Sequence, residues 1–285
     1  MYWFTVSVSL VTRLNASCNN VLSIAFSQTR INVLCGDPRR IFVYEDRAPF
    51  TWEGSLFLDW MIEPETMVAS PSSDHLYVSD SGNDCIYMIS REGGSYVKSK
   101  WMCDDDLMIQ SLSGDGSTIL ATNKYLYKVK LYSTEYASLL HSFELPIDTY
   151  SLEWCHRAQS VVKTSTGDFI VSCGLRKDYT KFICKFRKAG SLVECYTMRG
   201  ASEELTHPIH TSLTSDDRVI VADTWNNRIL LLNSDLTGYR VLLTGNCDGG
   251  VLKPVLLSYK TELKLLVVVN FEGNITLYNS HAFGL

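Results

Sequence analysis

Three sets of side chains in this sequence are of types that do chemistry. His207 and His210 lie three residues apart, and imidazole nitrogens are common zinc ligands. A catalytic zinc needs about three protein ligands converging from separate elements, so the pair is incomplete unless the fold adds a third. Asp80 and Asp223 occupy equivalent places in two copies of one pattern, LYVSDSGNDCIYMIS (76–90) and VIVADTWNNRILLLN (219–233). A carboxylate that ends an apolar run before a polar turn accepts turn N–H groups, and in the second copy it can hold Arg228. Acid–base or metal chemistry is the competing use of the same group. The third set is cationic and aromatic: Arg39, Arg40, Arg176, Lys177, Lys181, Trp225 and Arg228 fall in or beside turn-like segments. Arg and Trp are the side chains that most often anchor a partner, and loops are where such anchors sit. No P-loop, GxSxG elbow or dinucleotide fingerprint is present.

The elements that must position these groups repeat along the chain. Worn copies of the two-strand pattern read INVLCGDPRRIFVYE (31–45), ILATNKYLYKVKLY (119–132), FIVSCGLRKDYTKFICKF (169–186) and LLVVVNFEGNITLYN (265–279). The central apolar residue of the first strand falls at Val33, Val78, Leu120, Val171, Val221 and Val267, at steps of 45, 42, 51, 50 and 46 residues. Such periods, with several strands in each, are those of β-propeller blades. Four copies also share the offset from strand end to next strand start: Cys35 to Ile41, Asp80 to Ile86, Asp223 to Ile229 and Val269 to Ile275.

The whole chain, 1–285, is therefore expected to be one all-β domain, a six-bladed β-propeller. Its blades fall at about 20–63, 64–104, 105–148, 149–200, 206–246 and 252–280. The last blade lacks its outer strand, and the alternating segment within 3–12 (Val6, Val8 and Leu10 against Thr5, Ser7 and Ser9) lacks a blade. Pairing the two closes the ring and satisfies backbone groups an open edge would expose. The alternation, with no basic residues ahead of it, favours a strand with one buried face over a signal peptide.

Composition narrows the function. The 285 residues are 46% hydrophobic with net charge −5, enough for a large core. That charge is poor for general nucleic-acid binding, and DNA is not expected as a ligand. No apolar run of ~18 residues exists, so no membrane insertion is expected. Nine cysteines include no CxxC pair, and Cys35, Cys85, Cys173, Cys184 and Cys195 sit inside apolar strand patterns. They read as buried free thiols in a reducing compartment, which places the protein in the cytoplasm. Asn15-Ala-Ser and Asn274-Ile-Thr match the glycosylation sequon, a triplet that also arises by chance.

VADTWNNRILLL (221–232), VSDSGNDCIYMI (78–89) and the lead-in HPIHTSLTSDDRVIVAD (207–223) resemble the NHL-repeat family. The resemblance is close in blades two and five. Elsewhere Cys35, Thr122, Cys173 and Val269 replace the strand-end Asp, and spacing carries the match. It implies a propeller like the one that ends tripartite-motif proteins, working as a non-catalytic protein-binding platform with no cofactor. The alternative ligand it implies is RNA. The rim expected to carry the cationic set also carries Asp104, Asp105, Asp106, Glu203, Glu204 and Asp248, and phosphate binding wants cations free of nearby anions. Two catalytic six-bladed classes are the further alternative, metal-dependent lactonases and peptide-amidating lyases. Against them, the innermost strands of the other blades offer Ala25, Val68, Gln110 and Leu256 nearby, with no second His, and Glu153 is the lone acidic candidate.

Overall fold

The computed structural model describes residues 9–14, 16–70, 73–103, 109–114, 116–123, 128–144, 157–174, 181–196, 208–245 and 250–280. They form six four-stranded antiparallel sheets. After β1 (Ser9–Leu14), blade one contains β2 (Val21–Phe26), β3 (Arg30–Gly36), β4 (Arg39–Glu45) and β5 (Trp52–Phe57). Blade two contains β6 (Pro64–Ala69), β7 (Leu76–Asp80), β8 (Cys85–Glu92) and β9 (Ser95–Cys103). Blade three contains β10 (Ile109–Gly114), β11 (Thr118–Asn123), β12 (Lys128–Ser133) and β13 (Leu139–Glu144). Blade four contains β14 (Arg157–Lys163), β15 (Phe169–Gly174), β16 (Lys181–Phe186) and β17 (Leu192–Tyr196). Blade five contains β18 (Pro208–Leu213), β19 (Val219–Asp223), β20 (Arg228–Leu232) and β21 (Tyr239–Thr244), with a 3-10 turn at Thr224–Asn226. Blade six contains β22 (Pro254–Lys260), β23 (Leu265–Asn270) and β24 (Ile275–Asn279).

The first strands of the blades adjoin one another around a channel, and β22 adjoins β2 to complete the ring. The fold is a six-bladed β-propeller. Its fourth strand in blade six is β1, paired antiparallel with β24, as the missing outer strand required. The pairing covers Ser9–Leu14, and residues 1–8 lie outside the described set. The buried-face expectation fails at Leu10, which is 43% exposed. A bulge between Leu10 and Thr12 shifts the alternation, and Leu14 becomes the residue of β1 that reaches the core.

The core lies between blades. Ile31, Val33 and Cys35 pack with Val267 and Leu277 of blade six, while Leu34, Ile41 and Val43 pack with Met67 and Val78 of blade two. Successive side chains point to opposite faces, and both faces of a second strand meet a neighbouring blade. Second strands are therefore near-continuous apolar runs, and their central residues keep the blade period visible in the sequence. No helix among the described residues is long and apolar enough to cross a membrane.

The free-thiol reading is corrected. Cys85 pairs with Cys103 across β8 and β9, and Cys184 with Cys195 across β16 and β17. Each pair sits directly opposite in the strand register. Cys18 pairs with Cys35, joining the segment before β2 to the end of β3 with Cα atoms 5.9 Å apart. Separations of 18, 11 and 17 residues carry no motif; only the hairpin register brings the sulfurs together. The cytoplasmic expectation rested on those thiols. Cys155, Cys247 and the side chain of Cys173 lie outside the described residues.

Candidate functional site

Asp223 ends β19 with no exposed side-chain surface, and its Oδ2 accepts from Arg228 Nε at 2.7 Å and Asn226 Nδ2 at 2.8 Å. Three further contacts fix the turn. Thr224 Oγ1 donates to Pro254 O at 2.6 Å. Gly245 N donates to Asn227 O at 2.8 Å, and Lys253 N donates to Asn227 Oδ1 at 2.9 Å. Asn227 takes the left-handed conformation (φ 50°) that its short amide tolerates. With every neighbour tied down, Trp225 projects outward and is 54% exposed.

Beside it stand two residues that the sequence did not single out. Phe271 is 68% exposed, and its N–H donates to Lys253 O at 2.9 Å. The Lys253 ammonium lies 5.6 Å from the Trp225 ring centre and 5.8 Å from that of Phe271. Exposed Leu252 precedes it. Among the described residues Lys253 makes no ion pair. A cation between two aromatic faces, with an aliphatic neighbour, forms an apolar patch with one positive charge at its centre. The repeat held the missing signal. Trp225 and Phe271 both fall two residues past the strand-end position of the template, at Asp223 and Val269. In blade two that slot is Gly82, and a Cβ there would stand 2.5 Å from Ile62 Cγ2. The link before blade two covers the slot; the rim of blades five and six leaves it open.

The other sequence-predicted residues are spoken for or out of view. Arg39 donates to the carbonyls of Met61 and Ile62 and so clamps the link between blades one and two. Arg40 lies over Phe57 and Phe42, with centroids 4.7 and 5.5 Å away, and its Nε is enclosed. Arg228 is committed to Asp223. Arg176 and Lys177 lie outside the described residues, as does the side chain of Lys181, whose backbone begins β16. So do all six acidic residues expected on that rim. Asp80 is a structural acceptor, bonded by the N–H groups of Ile62 (3.1 Å) and Glu63 (2.7 Å) and by Asn83 Nδ2 (2.7 Å).

At the other end of the molecule the channel widens to a cavity of about 620 Å³. Lys253 precedes β22 and Lys260 ends it, so the patch and the cavity mouth lie at opposite ends of that strand. Lys260 ties blade six to blade one at the mouth by donating to Asp46 and to the carbonyls of Ser27 (3.0 Å) and Gln28 (2.7 Å). His210 lines the cavity from β18. Burial lowers its pKa to about 4, so its imidazole is neutral at physiological pH. Its Nδ1 is enclosed without a hydrogen-bond partner among the described residues, and its ladder neighbour is Ala222, whose side chain has no polar atom. His207 and Glu153 lie outside the described residues. Among those described, no three His, Cys, Asp or Glu side chains converge as a metal site would require.

No family model matches the chain, and no curated protein matches it. Among 1133 matching solved chains, one of Kuenenia stuttgartiensis hydrazine synthase superposes with a TM-score of 0.61. It is 12% identical and covers 94% of this chain and 97% of its own. That likeness is of fold, and a propeller hosts many unrelated functions.

Proposed function

We propose that this propeller is a non-catalytic binding platform whose partner is a protein, docked on the rim of blades five and six. The observation that carries the proposal is the exposed pair Trp225 and Phe271, held about one ammonium by a turn that is bonded on every side. Rigid aromatic side chains at a fixed surface point are what binding energy concentrates in. They lose little conformational freedom on docking. The resemblance of blades two and five to NHL repeats agrees with a platform of this kind. Of the anchors expected from sequence, Trp225 belongs to this face; Phe271, Lys253 and Leu252 complete it in place of the internally bonded arginines.

Single-stranded RNA is the second reading, because bases stack on exposed aromatic faces and a lysine between them can meet a phosphate. One experiment separates the two. Residues 1–285 are used to capture partners, with and without RNase, alongside Trp225→Ala and Phe271→Ala. Protein partners that survive RNase and are lost by both variants are expected. Partners lost on RNase treatment move RNA to first place. Capture unchanged by either variant removes this rim from the proposal.

A further inference from the structure

Among the described residues, six cysteines form three cross-links, one each in blades one, two and four. Disulfides of this structural kind form and persist in oxidising compartments. That gives new weight to a triplet which has no significance by itself. Asn274-Ile275-Thr276 begins in the turn between β23 and β24. Asn274 is exposed. Its backbone N–H donates to Asn270 Oδ1 at 2.8 Å, and Gly273 N donates to Asn270 O at 2.9 Å, so the turn is held by its own atoms. The side-chain amide reaches outward to Glu272 Oε2 at 3.3 Å, also exposed. Ile275, by contrast, is 1% exposed and anchors the strand into the core with Leu14 and Leu277. The acceptor nitrogen therefore faces solvent on a fixed turn, and no core contact is lost if it carries a large group.

We propose that Asn274 is an N-glycan acceptor, modified as the chain passes through an oxidising secretory compartment. Asn-X-Ser/Thr with X other than Pro is the triplet that such transfer recognises, and Thr276 supplies the hydroxyl. In the step, Asn274 Nδ2 forms a bond to C1 of the first sugar of a lipid-linked oligosaccharide diphosphate. The C1–O bond to the diphosphate breaks, the lipid diphosphate departs, and the amide gives up one proton. No electrons change hands. Each disulfide separately passes two electrons and two protons to the compartment's disulfide oxidant. The carbohydrate stands on the turn that bears Phe271. It borders the aromatic patch, and it lies at the opposite end of the propeller from the cavity mouth.

The test is the full chain with a secretion leader appended, expressed in eukaryotic cells, with intact mass measured before and after glycosidase treatment. Expected is a glycan whose mass is lost in Asn274→Gln and in Thr276→Ala and kept in Thr276→Ser. Asn15→Gln run alongside assigns any second glycan. Alkylation without reductant should leave Cys18, Cys35, Cys85, Cys103, Cys184 and Cys195 unmodified. Secreted protein bare at position 274, or those six thiols alkylated, or a chain retained without modification, overturns the proposal. Partner docking at Trp225 stands or falls separately, because its readout is capture and not mass.

Discussion

Blades two and five carry the same motif and use it differently. In blade two, Asp80 accepts from two main-chain N–H groups of the link that precedes its own blade and from Asn83. In blade five, Asp223 accepts from a guanidinium and an amide side chain within its own turn. Two residues on, Gly82 lies under Ile62 while Trp225 stands in solvent. On the inner strands the Thr66 hydroxyl meets Ser79 at 2.9 Å, where His210 faces Ala222. The carboxylate is a general turn organiser that needs donors of any kind. What those donors leave uncovered decides whether the turn is a joint between blades or a surface.

The largest effect should follow Asp223→Ala, which takes the carboxylate away from the Arg228 guanidinium at a site where it is 11% exposed. A loss of about 3–5 kcal/mol is expected from urea unfolding. The double variant Asp223→Leu with Arg228→Met should recover more than half, because both charges leave together. A single variant as stable as the parent would remove the guanidinium from the comparison.

Next is a pH dependence peculiar to blade five. His210 titrates near 4 when folded and near 6.5 when unfolded. Between those values the unfolded chain binds the proton and the folded one does not. Stability is therefore intact above about pH 6.5, falls as pH drops, and levels below about 4. The full difference is about 3 kcal/mol, an upper figure because the ring is partly open to the channel. His210→Thr, the residue type of blade two, should flatten that part of the stability–pH curve. An unchanged slope would place the titration elsewhere.

Asp80→Ala should cost about 2–3 kcal/mol, with no apolar second-site rescue, since its main donors are backbone amides. Smallest is the slot beside the carboxylates. Gly82→Ala forces Ile62 aside and should cost about 1–3 kcal/mol. Trp225→Ala should alter stability by no more than about 0.5 kcal/mol and instead weaken partner binding by tenfold or more. If Gly82→Ala proved neutral and Trp225→Ala destabilising, the roles assigned to the two turns would be reversed.

Much of the architecture was legible because second strands are buried on both faces. Val78, Val221 and Val267 could hardly be anything but apolar, so the period survived where the motif had worn away. Ring closure was legible as two gaps of matching kind, although the bulge at Leu10 and Thr12 was not, since one extra residue leaves no mark on composition. The site was less legible. Arg39 and Arg228 look like anchors in a loop-rich segment, yet a carbonyl pair or a carboxylate from across the turn takes them up. Phe271 belongs to a copy that had lost its Asp, so the repeat drew no attention to it.

The sequence by itself determined the period, the six blades, the all-β class and the segment that closes the ring, because alternation and spacing are properties of the chain. Tertiary structure alone decided which turn exposes its aromatic, which cysteines meet, and that His210 Nδ1 finds no hydrogen-bond partner among the described residues. Those outcomes depend on what the neighbouring strand or link places opposite each side chain. Cross-strand register and inter-blade packing set that at distances of ten to fifty residues or so, beyond any local pattern.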